Sequence, residues 1–242
     1  MIFGGRLKKQ LAERDRRIAE LESQLTPPVK PENIVWIFGS SRTGSTWLSE
    51  MMAVPRGNEL WREPQFGLVL ALRNLVVNKE QRLASRHFLL GDPFKEVWLD
   101  SMRNLFLDGA AARFPNLSRL LVVKEPNASM GVPLAMEAFP ESRLVFIVRD
   151  PRDVVASQLD AAKEGSWHGG KGFQASIFDT GEGSVVERLA RQYVINVNGA
   201  REAYEGHEGP ETKVRYEDLR RDPFRCSSGF TTTWIWRSGR PS

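Results

Sequence analysis

Cysteine is almost absent: Cys226 is the only one in 242 residues. No intrachain disulfide can form from it, and no cysteine-based metal centre can be built. Histidine is sparse too, limited to His87, His168 and His207. His87 lies in a stretch rich in Lys, Arg and Gln and reads as surface. His168 sits among glycines and His207 beside a turn, so both are poor candidates for catalysis. No apolar run approaches ~18 residues, which argues against a helical membrane span. Met1-Ile-Phe3 passes at once into glycines and charge, without the apolar region of a signal peptide. A soluble cytoplasmic protein is the expectation. Excess charge is small as well, net +4 with a pI near 9.4. That suits an anionic ligand and is too weak to argue for nucleic acid.

What is present is ordinary for a globular chain, 41% hydrophobic and 26% charged residues, at a length that suits one domain. Leu7, Leu11, Ile18, Leu21 and Leu25 recur at heptad spacing, with Arg14 interrupting the seam. Two readings are open for residues 1–25: a short coiled coil that makes a homodimer, or a solvated helix lying on the domain. Residues 26–32, with Pro27, Pro28 and Pro31, form a linker. The main domain is expected over 33–223. Apolar runs predict strands at 34–38, 120–123, 144–148 and 213–216. Helices are predicted between them at 45–52, 66–77, 95–106, 151–162 and 185–204. Such alternation implies a parallel sheet covered on both faces, with ligands at the carboxyl ends of its strands. Gly39, Lys124 and Arg149 fall at such ends. The glycine-rich stretch 165–183 reads as a lid or as a disordered surface loop.

Two segments carry chemistry. The first is the strand 34–38 running into Gly39-Ser-Ser-Arg-Thr-Gly-Ser-Thr46. Its glycine spacing is that of a phosphate-binding loop, G-x-x-x-x-G-K-[ST], except that Ser45 stands where the lysine belongs and the cation is Arg42. Backbone N–H groups of residues 43–46, the dipole of the following helix and the hydroxyls of Thr43, Ser45 and Thr46 would bind an anion. A helix cap alone is the plainer alternative. The second segment runs from Arg143 to Ser157. There Arg149 ends a strand, Asp150 caps a helix, Pro151 takes its first turn, and Ser157 follows about two turns in. Arg149 offers a planar fork for a phosphate, or else pairs with a nearby carboxylate.

Together these segments resemble the sulfotransferases that use 3′-phosphoadenosine 5′-phosphosulfate (PAPS). Arg42-Thr-Gly-Ser-Thr-Trp-Leu48 matches their loop for the 5′-phosphosulfate, and Arg149 to Ser157 matches R-[DN]-P-x-D-x-x-x-S, which holds the 3′-phosphate. Val214-Arg-Tyr-Glu-Asp-Leu219 is similar to the segment that places an aromatic residue by the adenine, here Tyr216; Trp47 is a second such contact by the same resemblance. The implied fold is a three-layer α/β/α domain with a central parallel sheet, P-loop nucleotide-hydrolase-like, preceded by the short N-terminal coiled-coil helix. The implied reaction moves a sulfonate to the hydroxyl or amine of a carbohydrate, lipid or other acceptor, with Arg42 stabilising the leaving oxygen and no metal required.

The resemblance also bears on the general base. Members acting on small phenols carry a histidine after a central strand, where this chain has Pro126 in Lys124-Glu-Pro126. Carbohydrate, tyrosylprotein and some bacterial members place a glutamate after the first helix. Glu63 sits at comparable spacing and is favoured over Glu125, which adjoins the Lys124 charge; Lys124 itself would contact the sulfonate. After Pro223 the resemblance stops. Residues 224–242 read as an atypical tail, such as a frameshift or premature end produces, and Arg237 and Arg240 are not expected to replace the basic closing segment. The alternatives are a P-loop nucleotide kinase or NTPase, or a catalytically impaired binding or scaffold relative.

Overall fold

The computed structural model describes residues 13, 14, 16, 17, 29–76, 78–161 and 182–223. Most of the heptad segment, the start of the linker, the glycine-rich stretch up to 181 and the tail 224–242 lie outside the described residues.

Ile34–Phe38 forms β1, an apolar run with all five residues buried, as a strand covered on both faces requires. Leu121–Lys124 (β3) and Arg143–Val148 (β4) flank it, both parallel to it, with Ile37 opposite Lys124 on one side and Val145 on the other. Glu59–Arg62 (β2) and Glu211–Arg215 (β5) are the edges, giving one parallel five-stranded sheet in the order β2-β3-β1-β4-β5. Because β1 is followed in sequence by strands on one side and later by strands on the other, the loop after β1 sits where the connection reverses, the usual ligand crevice of such sheets.

Strand alternation divides the core into two layers. Ile34, Trp36, Phe38, Leu121, Val123, Leu144 and Phe146 face one way, against Phe66–Leu72 (α2), Lys95–Arg113 (α4), Val132–Ala138 (α5) and Val185–Gly206 (α7). Trp36 is fully buried there, with the rings of Phe38, Phe66, Phe106 and Phe139 at centroid distances of 4.8–5.8 Å. Val35, Ile37, Val122, Val145 and Ile147 face the other way, against Leu48 and Met52 of Ser45–Ala53 (α1) and Leu219 of Tyr216–Arg221 (α8). Lys79–Leu83 (α3) and Pro151–Ala161 (α6) complete the helices of the described residues.

Several boundaries differ from expectation. The strand expected at 120–123 lies one residue later, so Lys124 belongs to its end. The helix expected over 66–77 stops at Leu72 and tightens into a 3-10 turn, Arg73–Leu75. The one expected over 95–106 runs on to Arg113. Tyr216 opens a helix rather than closing a strand, because Glu217 and Asp218 in its first turn favour a helix N-terminus. β2, α3, α5 and α8 were not expected. β2 is only four residues long and half-exposed, so Glu59-Leu-Trp-Arg62 lacks the apolar run of an inner strand.

Candidate anion-binding site

The loop after β1 is shaped by two glycines and one strained arginine. A Cβ on Gly39 would lie 2.3 Å from the Ile147 carbonyl oxygen, so only glycine lets the chain pass β4. Arg42 and Gly44 both adopt left-handed backbone, φ 64° and 84°, which reverses the chain into α1 at Ser45. A Cβ on Gly44 would stand 2.5 Å from the Tyr216 ring. The loop is braced from below by the Ser129 hydroxyl, which accepts from Gly39 N–H at 3.1 Å and donates to the Gly39 carbonyl. Gln158 of α6 donates to the Ser41 hydroxyl at 2.6 Å. Thr43 donates its hydroxyl to the Ser40 carbonyl at 2.7 Å. That hydroxyl, expected as a ligand donor, is thus engaged in the loop's own turn. Ser45 is buried, whereas Thr46 and Trp47 are exposed at the start of α1. First-turn N–H groups of a helix have no intrahelical partners, so they and the helix dipole favour an anion here.

The second segment meets this loop. Arg42 Nε donates to Ser157 Oγ at 3.0 Å, and Arg149 Nη1 donates to the Arg42 carbonyl at 3.0 Å. The Arg149 guanidinium lies over the Tyr216 ring, 4.3 Å from its centroid. Its contact with Asp153 is long, 3.8 Å, and Asp153 is mostly exposed, so the ion pair does not account for its position. Arg149 Nε is buried and lacks a hydrogen-bond partner among the described residues. The rest of the guanidinium is partly exposed beside the Arg42 backbone, whose side chain reaches the Ser157 hydroxyl, and this cluster of donors suits an anionic ligand. Asp150 Oδ1 accepts from Arg152 N–H at 2.9 Å, capping α6 as its sequence position suggested. The Arg152 side chain beside it pulls the Asp150 carboxyl down to about 2.

Two supports escaped the sequence reading. The Tyr193 hydroxyl of α7 donates to the Arg149 carbonyl at 2.8 Å, and Glu217 accepts from Asp150 N–H at 2.9 Å. Burial pushes the Tyr193 phenol up, which keeps it a donor. Glu217 follows Tyr216 directly in the sequence and was within reach of the motif. Tyr193 had no local signal.

Glu63 and Lys124 come together at the ends of β2 and β3, Lys124 Nζ to Glu63 Oε1 at 2.6 Å. Lys124 is 6% exposed, and Glu63 N–H donates to the Lys124 carbonyl at 2.8 Å, extending the β2–β3 ladder. The lysine charge therefore lies against Glu63, not against Glu125 as adjacency in sequence suggested. Glu125 points the other way, is 1% exposed, and accepts from Phe66 and Gly67 N–H at 2.5 and 2.8 Å. Burial pushes its carboxyl up to about 7, against the downward pull of those backbone donors. His207 is also buried, bonded through Nε2 to the Ser142 carbonyl at 2.8 Å, and His87 is exposed. His168 lies outside the described residues.

A glycine-shaped loop after the central strand of a parallel sheet, met by a second arginine from the neighbouring strand, is the arrangement of a P-loop-like α/β fold. A sulfotransferase family model matches residues 35–226, and the chain belongs to that family. Among solved structures, the sulfotransferase domain from the curacin biosynthetic pathway is similar at 18% identity and TM-score 0.51, over 81% of this chain and 71% of that one. Sulfotransferase STF9 from Mycobacterium avium is similar at 15% identity and TM-score 0.53, over 88% of this chain and 67% of that one. Both share the fold. No significant sequence match was found among curated proteins.

Proposed function

We propose that the protein moves a sulfonate from PAPS to a hydroxyl or amine of a carbohydrate, lipid or other acceptor. The observation that carries this is the meeting of Arg42, Ser157 and Arg149 beyond the carboxyl ends of β1 and β4, two candidate anion-binding motifs more than a hundred residues apart in sequence joined by direct bonds. In this reading the N–H groups of Thr43, Gly44, Ser45 and Thr46 hold the 5′-phosphosulfate. Arg149 and Ser157 take the 3′-phosphate, and Trp47 and Tyr216 flank the adenine. The acceptor oxygen forms a bond to sulfur as the bond from sulfur to the bridging oxygen breaks. Arg42 stabilises charge on that leaving oxygen. Glu63 takes the acceptor proton, and Lys124, already at its carboxylate, contacts the sulfonate. The kinase reading is weakened by Ser45, which leaves the loop without its lysine.

The test is incubation with PAPS labelled in the sulfonate and a panel of glycans, lipids and phenols. Label in an acceptor, with equal release of adenosine 3′,5′-bisphosphate, is the expected outcome. Binding of the bisphosphate without transfer to any acceptor would favour a binding role instead.

A further inference from the structure

The turn that carries Glu63 is strained. Glu63 and Gln65 both have left-handed backbone, φ 51° and 66°, on either side of Pro64. For residues with a Cβ such conformations are unfavourable and persist only where the surroundings hold them. One end is held by β3, through Glu63 N–H on the Lys124 carbonyl at 2.8 Å. The other end is held by Glu125, whose two carboxylate oxygens take the N–H groups of Phe66 and Gly67 at 2.5 and 2.8 Å. Lys124 and Glu125 are consecutive, so side chains on opposite sides of one strand end grip Glu63 and the start of α2. Glu125 has no solvent access that substrate could use, since it is 1% exposed.

We propose that Glu125 is a positioning residue that locks the 63–65 turn and thereby keeps the Glu63 carboxylate on the Lys124 ammonium. Its catalytic consequence rests on the reading of Glu63 as base; its geometric consequence does not. A glutamine at 125 keeps the shape but turns an amide N–H₂ towards one of the two backbone donors, so one bond is lost.

The experiment is a double-mutant cycle, Glu63→Gln with Lys124→Met, measured by chemical denaturation of the full chain with Glu125 present and with Glu125→Gln. With Glu125 present, the pair should couple by roughly fivefold in the folding equilibrium. In Glu125→Gln that coupling should vanish; an unchanged coupling overturns the proposal. Should Glu125→Gln fail to fold, the cycle is run in Glu125→Asp, whose shorter side chain withdraws the carboxylate from the Phe66 and Gly67 N–H groups; undiminished coupling there overturns it. Kinetics separate this from the functional reading. Glu125→Gln should lower kcat roughly ten- to a hundredfold, since small misplacements of a reacting group carry that cost, with the Kd of adenosine 3′,5′-bisphosphate unchanged. Lost coupling with unaltered kcat would support the positioning and remove Glu63 as base. Absent transfer by the unaltered protein would sink the functional reading while the cycle still decides the positioning.

Discussion

Arg42 is exposed, adopts left-handed backbone at φ 64° and reaches Ser157 at 3.0 Å, so the turn aims its side chain across the mouth of the loop. Removing a charged donor aimed at a developing anion costs about 3 kcal/mol, or ~100-fold in rate. Arg42→Ala should show that loss in kcat in the sulfonate-transfer assay; a kcat near the unaltered value would take Arg42 out of the leaving-group role. The arginines and Ser157 were legible in the sequence because their spacing is imposed by a local turn and one helix. The partnership of Glu63 with Lys124 was not. It depends on the register of β2 against β3, Arg62 opposite Lys124, and on two left-handed residues that no pattern announces.

At the scale of elements, the inner strands were legible because burial on both faces demands unbroken apolar runs, which β1, β3 and β4 have. Edge strand β2 and the short helices α5 and α8 escaped because packing, not periodicity, sustains them, and α3 because a five-residue exposed turn has no apolar pattern to read. The junction of β3 with α2 also has a pH signature. Glu125 at about 7 in the folded protein keeps a proton that the unfolded chain, near 4.5, releases. Stability is therefore lost as pH rises between those values, by about 3 kcal/mol at full extent. The charge of Glu63 also acts on Glu125 and pushes its carboxyl further up. Buried His207, held below its usual value, acts oppositely in the same window, its contribution growing as pH rises. It is common to both proteins, so the comparison isolates Glu125. Thermal melts from pH 5 to about 7.5 should fall more steeply for the unaltered protein than for Glu125→Gln. Parallel curves would show that Glu125 does not titrate there.

For the whole molecule, the sheet order places β1 between β3 and β4, and this brings together Gly39, Lys124 and Arg149 from three separate segments. Their alignment at strand ends was readable from the alternation of elements. The bracing of Arg149 by Tyr193 was not, because α7 reaches it only after the chain has crossed the sheet. The ring of Tyr216 touches both candidate segments, lying under Arg149 and against Gly44, so an anion bound at either should be felt at the other. We propose this paired site for a nucleotide carrying phosphates at both its 3′ and 5′ positions. Isothermal titration with adenosine 3′,5′-bisphosphate, ADP and adenosine 5′-phosphate tests it directly. The bisphosphate should bind tightest, with Arg149→Ala weakening it far more than adenosine 5′-phosphate; tighter binding of ADP, or equal loss for both ligands in Arg149→Ala, would refute this assignment.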